Sequence, residues 1–178
     1  SSWQIVKIHL FHPFKSTIRG HCRGQEVAIQ WEDCVVLPNY WMSPETNSVN
    51  RLPMLNIEHF ETISLDGTWR FQLLNSPADD SRKRWGKINV PGLWTMQPED
   101  DLFFDKPIYT NVQMPWDHIA PEVPKENPTG IYERDFDIPT SWSSKRIVLH
   151  LGGYESVALV TINGKEVGLT KDSRLAAE

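Results

Sequence analysis

Val157-Ala158-Leu159-Val160-Thr161-Ile162, then Asn163-Gly164, then Glu166-Val167-Gly168, is the stretch that decides the fold. Its first six residues are aliphatic or β-branched, the side chains that suit a pleated, buried surface. Asn-Gly accepts positive φ at both central positions of a type I′ turn, whose twist matches that of the strands it joins. The reading is a β-hairpin near the carboxyl end.

The same signals recur upstream. Tyr132 to Ile138 and Arg146 to Leu151 are rich in aromatic and β-branched residues and are predicted strands. Trp69-Arg70-Phe71-Gln72-Leu73 alternates apolar with polar residues behind a predicted turn at Ser64-Leu65-Asp66-Gly67, which makes it a half-buried strand. Ile88-Asn89-Val90 is a short strand ended by Pro91-Gly92, and the polar Asn75 to Arg84 between them reads as a loop. Glu99-Asp100-Asp101 is a solvated loop tip. Short strands divided by Pro and Gly turns, with no helices between them, predict an all-β antiparallel sandwich.

Nearer the amino end the pattern weakens. Ile5, Val6, Ile8, Leu10 and Phe11 form one apolar cluster and Val35-Val36-Leu37 another, which predicts one or two short strands broken by Gly20 and Gly24. From Pro38 to Pro53 the residues turn to Pro, Asn, Ser and Thr around Tyr40, Trp41 and Met42, an extended arm whose rings pack on a body; Leu52 to Phe60 reads as a short helical turn. The division is an amino-terminal segment at 1–38, an arm at 39–62 and a sandwich at 63–178.

Composition excludes several function classes. The 178 residues suit one domain, and 8 Trp with 13 Pro favour a loop-rich β protein over a helical bundle. A net charge of -5, with basic residues scattered apart from Arg82-Lys83-Arg84, argues against a nucleic-acid partner. No apolar run approaches the roughly 20 residues of a membrane span and no signal peptide is visible, so no membrane partner is expected. Cys22 and Cys34 read as free thiols, and His9, His12 and His21 beside Cys22 fit no ligand spacing of known geometry. No metal ligand is assigned.

Six motifs in order carry a resemblance: Asn50 to Pro53, Ser64 to Phe71, Val90 to Gln97, Pro107-Ile108-Tyr109-Thr110-Asn111-Val112, Glu126-Asn127-Pro128-Thr129-Gly130, and Asp172-Ser173-Arg174-Leu175. Together they resemble the amino-terminal domain of family 2 glycoside hydrolases. The fourth, fifth and sixth are similar to the large cytoplasmic β-galactosidases. The resemblance implies a galactose-binding-domain-like jelly roll, here lacking its last strands, set before an immunoglobulin-like domain and a TIM barrel. It implies that the two catalytic glutamates stand on the barrel, so no catalytic residue is assigned to this chain, which alone is expected to be inactive. It implies Mg and Na in the full enzyme and no cofactor in this segment. It further implies a cytoplasmic homo-oligomer acting with retention on β-galactosides such as lactose.

Within this chain the resemblance places Asn111 beside the galactose, where a carboxamide's donors and acceptor suit vicinal hydroxyls, and lets Val112 touch an apolar ring face. Read without it, Asn111 is an ordinary turn residue. Trp94 reads as a core residue packing with Met96 beneath that loop before it reads as a sugar platform, and Asp172 with Arg174 reads as a structural ion pair. Two alternatives stand beside the leading one: a self-sufficient carbohydrate-binding module, and the same domain from a β-glucuronidase or β-mannosidase.

Overall fold

The structure, a computed structural model, describes residues 3–11 through their backbone, and 40–52, 61–81, 84–97, 105, 107, 122–171 and 174–178. The readings at Cys22, Cys34, His12, His21, Val35 to Leu37, Arg82-Lys83, Glu99 to Asp101, Asn111, Val112 and Asp172 lie outside the described residues, as does nearly all of Leu52 to Phe60.

Seven strands are described: β1 (Trp3–Phe11), β2 (Ser48–Val49), β3 (Gly67–Leu74), β4 (Gly86–Val90), β5 (Thr129–Asp137), β6 (Val157–Ile162) and β7 (Lys165–Thr170). Single 3-10 turns occur at Tyr40–Met42, Trp94–Met96 and Thr140–Trp142. Every pairing is antiparallel, and the order across the sheet is β2-β7-β6-β1-β5-β3-β4. The all-β antiparallel expectation therefore holds.

The Asn-Gly hairpin is present as read. Asn163 and Gly164 take φ of 51° and 83°, and β6 runs back into β7 with a bulge at Val160/Thr161. All six residues of β6 are buried, so apolar layers cover both its faces. On one face Val160 and Ile162 join Trp69, Phe71, Ile88, Trp94, Tyr132 and Val167 in the main core; on the other, Val157 and Leu159 pack with Leu169, Trp41 and Val49. A sandwich strand normally buries one face and turns the other outward, so here the arm, through Trp41 and Val49, helps cover the second face. Burying one side chain of this size is worth roughly 1.5–3 kcal/mol, so the β6–β7 hairpin anchors both layers.

The start of β3 is clamped rather than simply turned. Gly67 takes φ +122°, Asp66 N–H donates to Ser64 Oγ at 3.2 Å, and the Leu65 carbonyl accepts from Trp69 Nε1 and from Arg134 Nη1, each at 2.7 Å. Trp69, read as an alternating core residue, thus buries its ring while its indole N–H finds an acceptor, as a buried Trp requires.

The arm lies along β7. Val49 and Ser48 pair with Leu169 and Thr170, Lys171 donates its backbone N–H to the Asn47 carbonyl and its Nζ to the Ser43 carbonyl, and Arg51 Nη2 donates to the Ala176 carbonyl at 2.9 Å. Trp41 packs against the Val157–Leu159–Leu169 cluster, the ring-on-body packing expected of such a segment.

Two readings need correction. Arg146 to Leu151 forms no strand: only Leu151 is paired, in an isolated bridge with Ala177, because β-branched composition cannot supply a partner with which to build a ladder. Met96 is not buried with Trp94 but stands 70% exposed, since a single 3-10 turn presents Trp94 and Met96 in different directions.

One finding was not foreseen. The amino-terminal apolar cluster forms a strand, as read, but this β1 is the fourth of the seven described, held between β5 and β6.

Candidate functional site

The described residues of the Val90 to Gln97 and Glu126 to Gly130 motifs meet where β3 ends and β5 begins. Asn127-Pro128 feeds directly into β5, and Asn127 N–H donates to the Asn75 carbonyl at 3.0 Å, tying the start of β5 to the residue that follows β3. Thr129 Oγ1 donates to the Asn127 carbonyl at 2.9 Å. Asn127 is 1% exposed, although Asn-Pro at the entrance to a strand reads as a rigid turn.

Glycine at position 130 brings the turn down onto the strand. A Cβ there would lie 2.8 Å from Trp94 Cζ3 and 3.0 Å from Phe71 Cε2, so only hydrogen fits between backbone and rings. Trp94 is seated against Phe71 with ring centroids 6.3 Å apart, and Phe71 meets Tyr132 edge-on at 5.0 Å. Burial pushes the Tyr132 phenol well above its ordinary range, which keeps it neutral and structural.

This corner carries buried hydrogen-bonding capacity. Among the described residues, neither Nδ2 nor Oδ1 of Asn127 has a hydrogen-bond partner, and neither does Trp94 Nε1. A buried polar group without a partner costs about 1–3 kcal/mol, so these groups suit a polar partner reaching the corner from elsewhere. The Trp94 ring itself is buried, which leaves no exposed face for a sugar to stack upon. Leu93 and Met96, by contrast, are exposed on the outer side of the turn, and Gln97 Nε2 donates back to the Leu93 carbonyl at 3.3 Å.

The described ion pairs outside this corner tie neighbouring elements together. Glu133, the one buried carboxylate among the described residues, pairs with Arg70 at 3.2 Å, and the Arg70 guanidinium lies 4.4 Å from the Trp85 ring centroid. Glu61 accepts from Trp142 Nε1 at 2.6 Å and from Lys145 Nζ at 2.5 Å on the surface; these bonds hold its carboxyl below the ordinary value. Arg174, read as half of an ion pair, does form one, but its described partner is Glu155: Nε and Nη2 reach Oε2 and Oε1 at 3.1 and 3.2 Å. Among the described residues no group of three or more His, Cys, Asp or Glu could hold a metal ion. No helix among them is long and apolar enough to cross a membrane.

Asn111 and Val112 lie outside the described residues. Of the flanking motifs, the structure brings Trp94 and Gly130 into contact. Sequence reasoning missed the burial of Asn127; the only signal was an Asn immediately before a Pro at a strand entrance, which ordinary turns share.

Comparison with known proteins follows this geometry. The family profile described as "Glycosyl hydrolases family 2, sugar binding domain" matches residues 62–178, taking in β3 to β7 and the Trp94–Asn127 corner. A β-galactosidase of Psychromonas ingrahamii is 40% identical over 125 residues, covering 64% of this chain and 11% of that protein. A β-galactosidase of Kluyveromyces lactis is 35% identical over 155 residues, covering 80% of this chain and 15% of its own length. A third, of Aeromonas hydrophila, is 32% identical over 170 residues, covering 81% and 16%. The chain thus spans only 11–16% of the length of these curated relatives. No solved structure matches it. On a profile match that takes in well over half of its residues, the chain belongs to the glycosyl hydrolases of family 2, through that family's sugar binding domain.

Proposed function

We propose that this chain is the amino-terminal part of a retaining β-galactosidase acting on terminal β-D-galactosides such as lactose. In this reading it scaffolds the enzyme and lends the loop bearing Asn111 and Val112 to an active site whose catalytic carboxylates stand on another domain. The observation that carries the reading is the family match over 62–178, joined to relatives named β-galactosidase of which the chain spans about a tenth to a sixth.

Retaining hydrolysis needs two carboxyl groups about 5 Å apart across the scissile bond, one protonating the leaving oxygen and one attacking the anomeric carbon. This chain's part is binding: the Asn111 carboxamide donates to and accepts from the galactose hydroxyls, while Val112 covers an apolar ring face. The unpartnered Asn127 amide and Trp94 indole N–H supply polar anchors at the corner from which such a loop would be braced. The same reading makes the whole protein a cytoplasmic homo-oligomer with barrel and immunoglobulin-like domains, using Mg and Na bound outside the described residues.

The test is a chimera in which residues 62–178 replace the matching segment of the Kluyveromyces lactis β-galactosidase. It is expected to hydrolyse a chromogenic β-galactoside, and Asn111→Ala in it to lower kcat/KM by about a hundredfold, on the order of 2.7 kcal/mol. A folded chimera whose activity ignores Asn111→Ala overturns the site assignment. The 178-residue chain alone is expected to show no turnover, and calorimetric titration with galactose or lactose separates it from a self-sufficient binding module, which would bind at millimolar concentration or tighter.

A further inference from the structure

The outward face of β3 and β4 carries a row of charge that folding alone does not call for. Lys87 on β4 stands directly opposite Arg70 on β3, and Arg70 directly opposite Glu133 on β5, so the order across the three strands is plus, plus, minus. Like charges facing each other across an antiparallel pair are unfavourable. Glu133 pairs with Arg70, through Nη1 at 3.2 Å. Lys87 is exposed and, among the described residues, has no ion-pair partner. This uncompensated cation sits on a chain whose net charge is -5.

Arg70 is also held in place. Its guanidinium carbon lies 4.4 Å from the Trp85 ring centroid, so the indole backs one side of the planar group while Glu133 holds one of its nitrogens. Nε and Nη2 keep no partner among the described residues, and the side chain remains 54% exposed. A guanidinium fixed in this way loses little freedom when it meets a carboxylate, whose two oxygens match its fork. Two residues along each strand, and therefore on the same face, Thr68 stands opposite Asn89 and donates Oγ1 to Asn89 Oδ1 at 3.2 Å. That bond orients the Asn89 carboxamide and leaves its Nδ2 to donate to a hydroxyl.

We propose that this face binds an acidic saccharide. The carboxylate of a uronate residue lies between Arg70 and Lys87, and hydroxyls of the same sugar meet Asn89 and Thr68. Trp85 acts through Arg70 as a positioning residue, because the guanidinium already covers the ring face that a sugar would stack upon. The site is separate from the Trp94 corner: Phe71, which meets Trp94, alternates with Arg70 and points to the other side of β3. It does not depend on the galactosidase reading. Being shallow and open to water, it binds weakly and is sensitive to salt.

The experiment is calorimetric titration of the 178-residue chain with trigalacturonate, galactotriose and inorganic sulfate. Expected are one trigalacturonate per chain, a Kd that weakens as sodium chloride is raised, and binding of galactotriose and of sulfate each weaker by about tenfold or more. Lys87→Gln should weaken trigalacturonate by about tenfold, whereas Lys165→Gln, the same charge change at the exposed start of β7, should leave it within about twofold. Asn89→Ala should weaken trigalacturonate and leave sulfate unchanged. Because Lys87→Gln removes a like-charge opposition, its Tm without ligand should equal or exceed that of the parent, which separates lost binding from lost folding. Absent binding, galactotriose or sulfate that matches trigalacturonate, equal losses in the two lysine variants, an Asn89→Ala chain that binds trigalacturonate as the parent does, or a lower Tm in Lys87→Gln each overturns the proposal.

Discussion

Gly130→Ala isolates the contact that seats the Trp94 turn on the sheet. In the interior of a strand, alanine in place of glycine is normally favourable by roughly 0.5–1 kcal/mol, because glycine loses more backbone freedom on folding. Here the added methyl would sit 2.8 Å from Trp94 Cζ3, 2.9 Å from Cε3 and 3.0 Å from Phe71 Cε2. Both rings are buried, at 5% and 0% exposure, so neither swings clear into solvent. Overpacking of this kind costs about 1–3 kcal/mol, which exceeds the backbone gain and reverses the sign. For a chain of this size each kcal/mol shifts Tm by about 2–4 °C, so a fall of several degrees is expected. Urea unfolding of Gly130→Ala, Trp94→Leu and the double variant closes the test. Trp94→Leu alone should cost about 3 kcal/mol by opening a cavity, but in its background Gly130→Ala should be nearly free, a coupling of about 1–2 kcal/mol. A neutral or stabilising Gly130→Ala, or strictly additive costs, refutes the reasoning.

Three further outcomes are expected. Tyr154→Phe should destabilise by about 1–3 kcal/mol in denaturant unfolding, because the Tyr154 hydroxyl shares a buried 2.6 Å hydrogen bond with Thr170 Oγ1, which would lose its partner. Gly164→Val should cost roughly 1–2 kcal/mol, since position 164 has φ +83° and a β-branched residue resists the left-handed region; a proline-free loop insertion at the same place would test whether the turn or only its residue matters. Glu166 is exposed at the start of β7, yet partial desolvation there raises its carboxyl above 4.5, so the folded chain binds that proton more readily than the unfolded one, and its small contribution to stability declines as pH rises above that value. Glu166→Gln should accordingly raise Tm at pH 7 and leave it unchanged at pH 3, as scanning calorimetry at the two pH values would read.

Local chemistry made much of the sheet from β3 onward legible. The Asn163-Gly164 hairpin, the alternation of Trp69 to Leu73 and the Pro-Gly end of β4 are each decided by residues within a few positions of one another, and each stands where the sequence put it. Arg146 to Leu151 failed for the complementary reason: a strand exists only if another strand offers it an edge, and nothing in those six residues reports whether one does. The amino-terminal cluster was legible as a strand, but its place in the sheet was not, since the strands that flank it are built far along the chain. Asn127 shows the limit for the candidate site. A carboxamide before proline looks the same whether it faces water or lies beneath a corner of the sheet, and only the pairing of its backbone with Asn75 draws it inside.

The central position of β1 also bears on how the chain is made. Synthesis runs from the amino end, so β1 leaves the ribosome before either of its partners exists. About 120 residues lie between the end of β1 and the start of β5, and at roughly 5–20 residues per second that is a wait on the order of 6–24 s. Through that interval an apolar nine-residue segment with strong β character is available to any open sheet edge nearby, including that of a neighbouring nascent chain. The described strand made first thus waits for both of its partners, which makes holdase chaperones natural attendants of its birth and crowded polysomes its natural hazard.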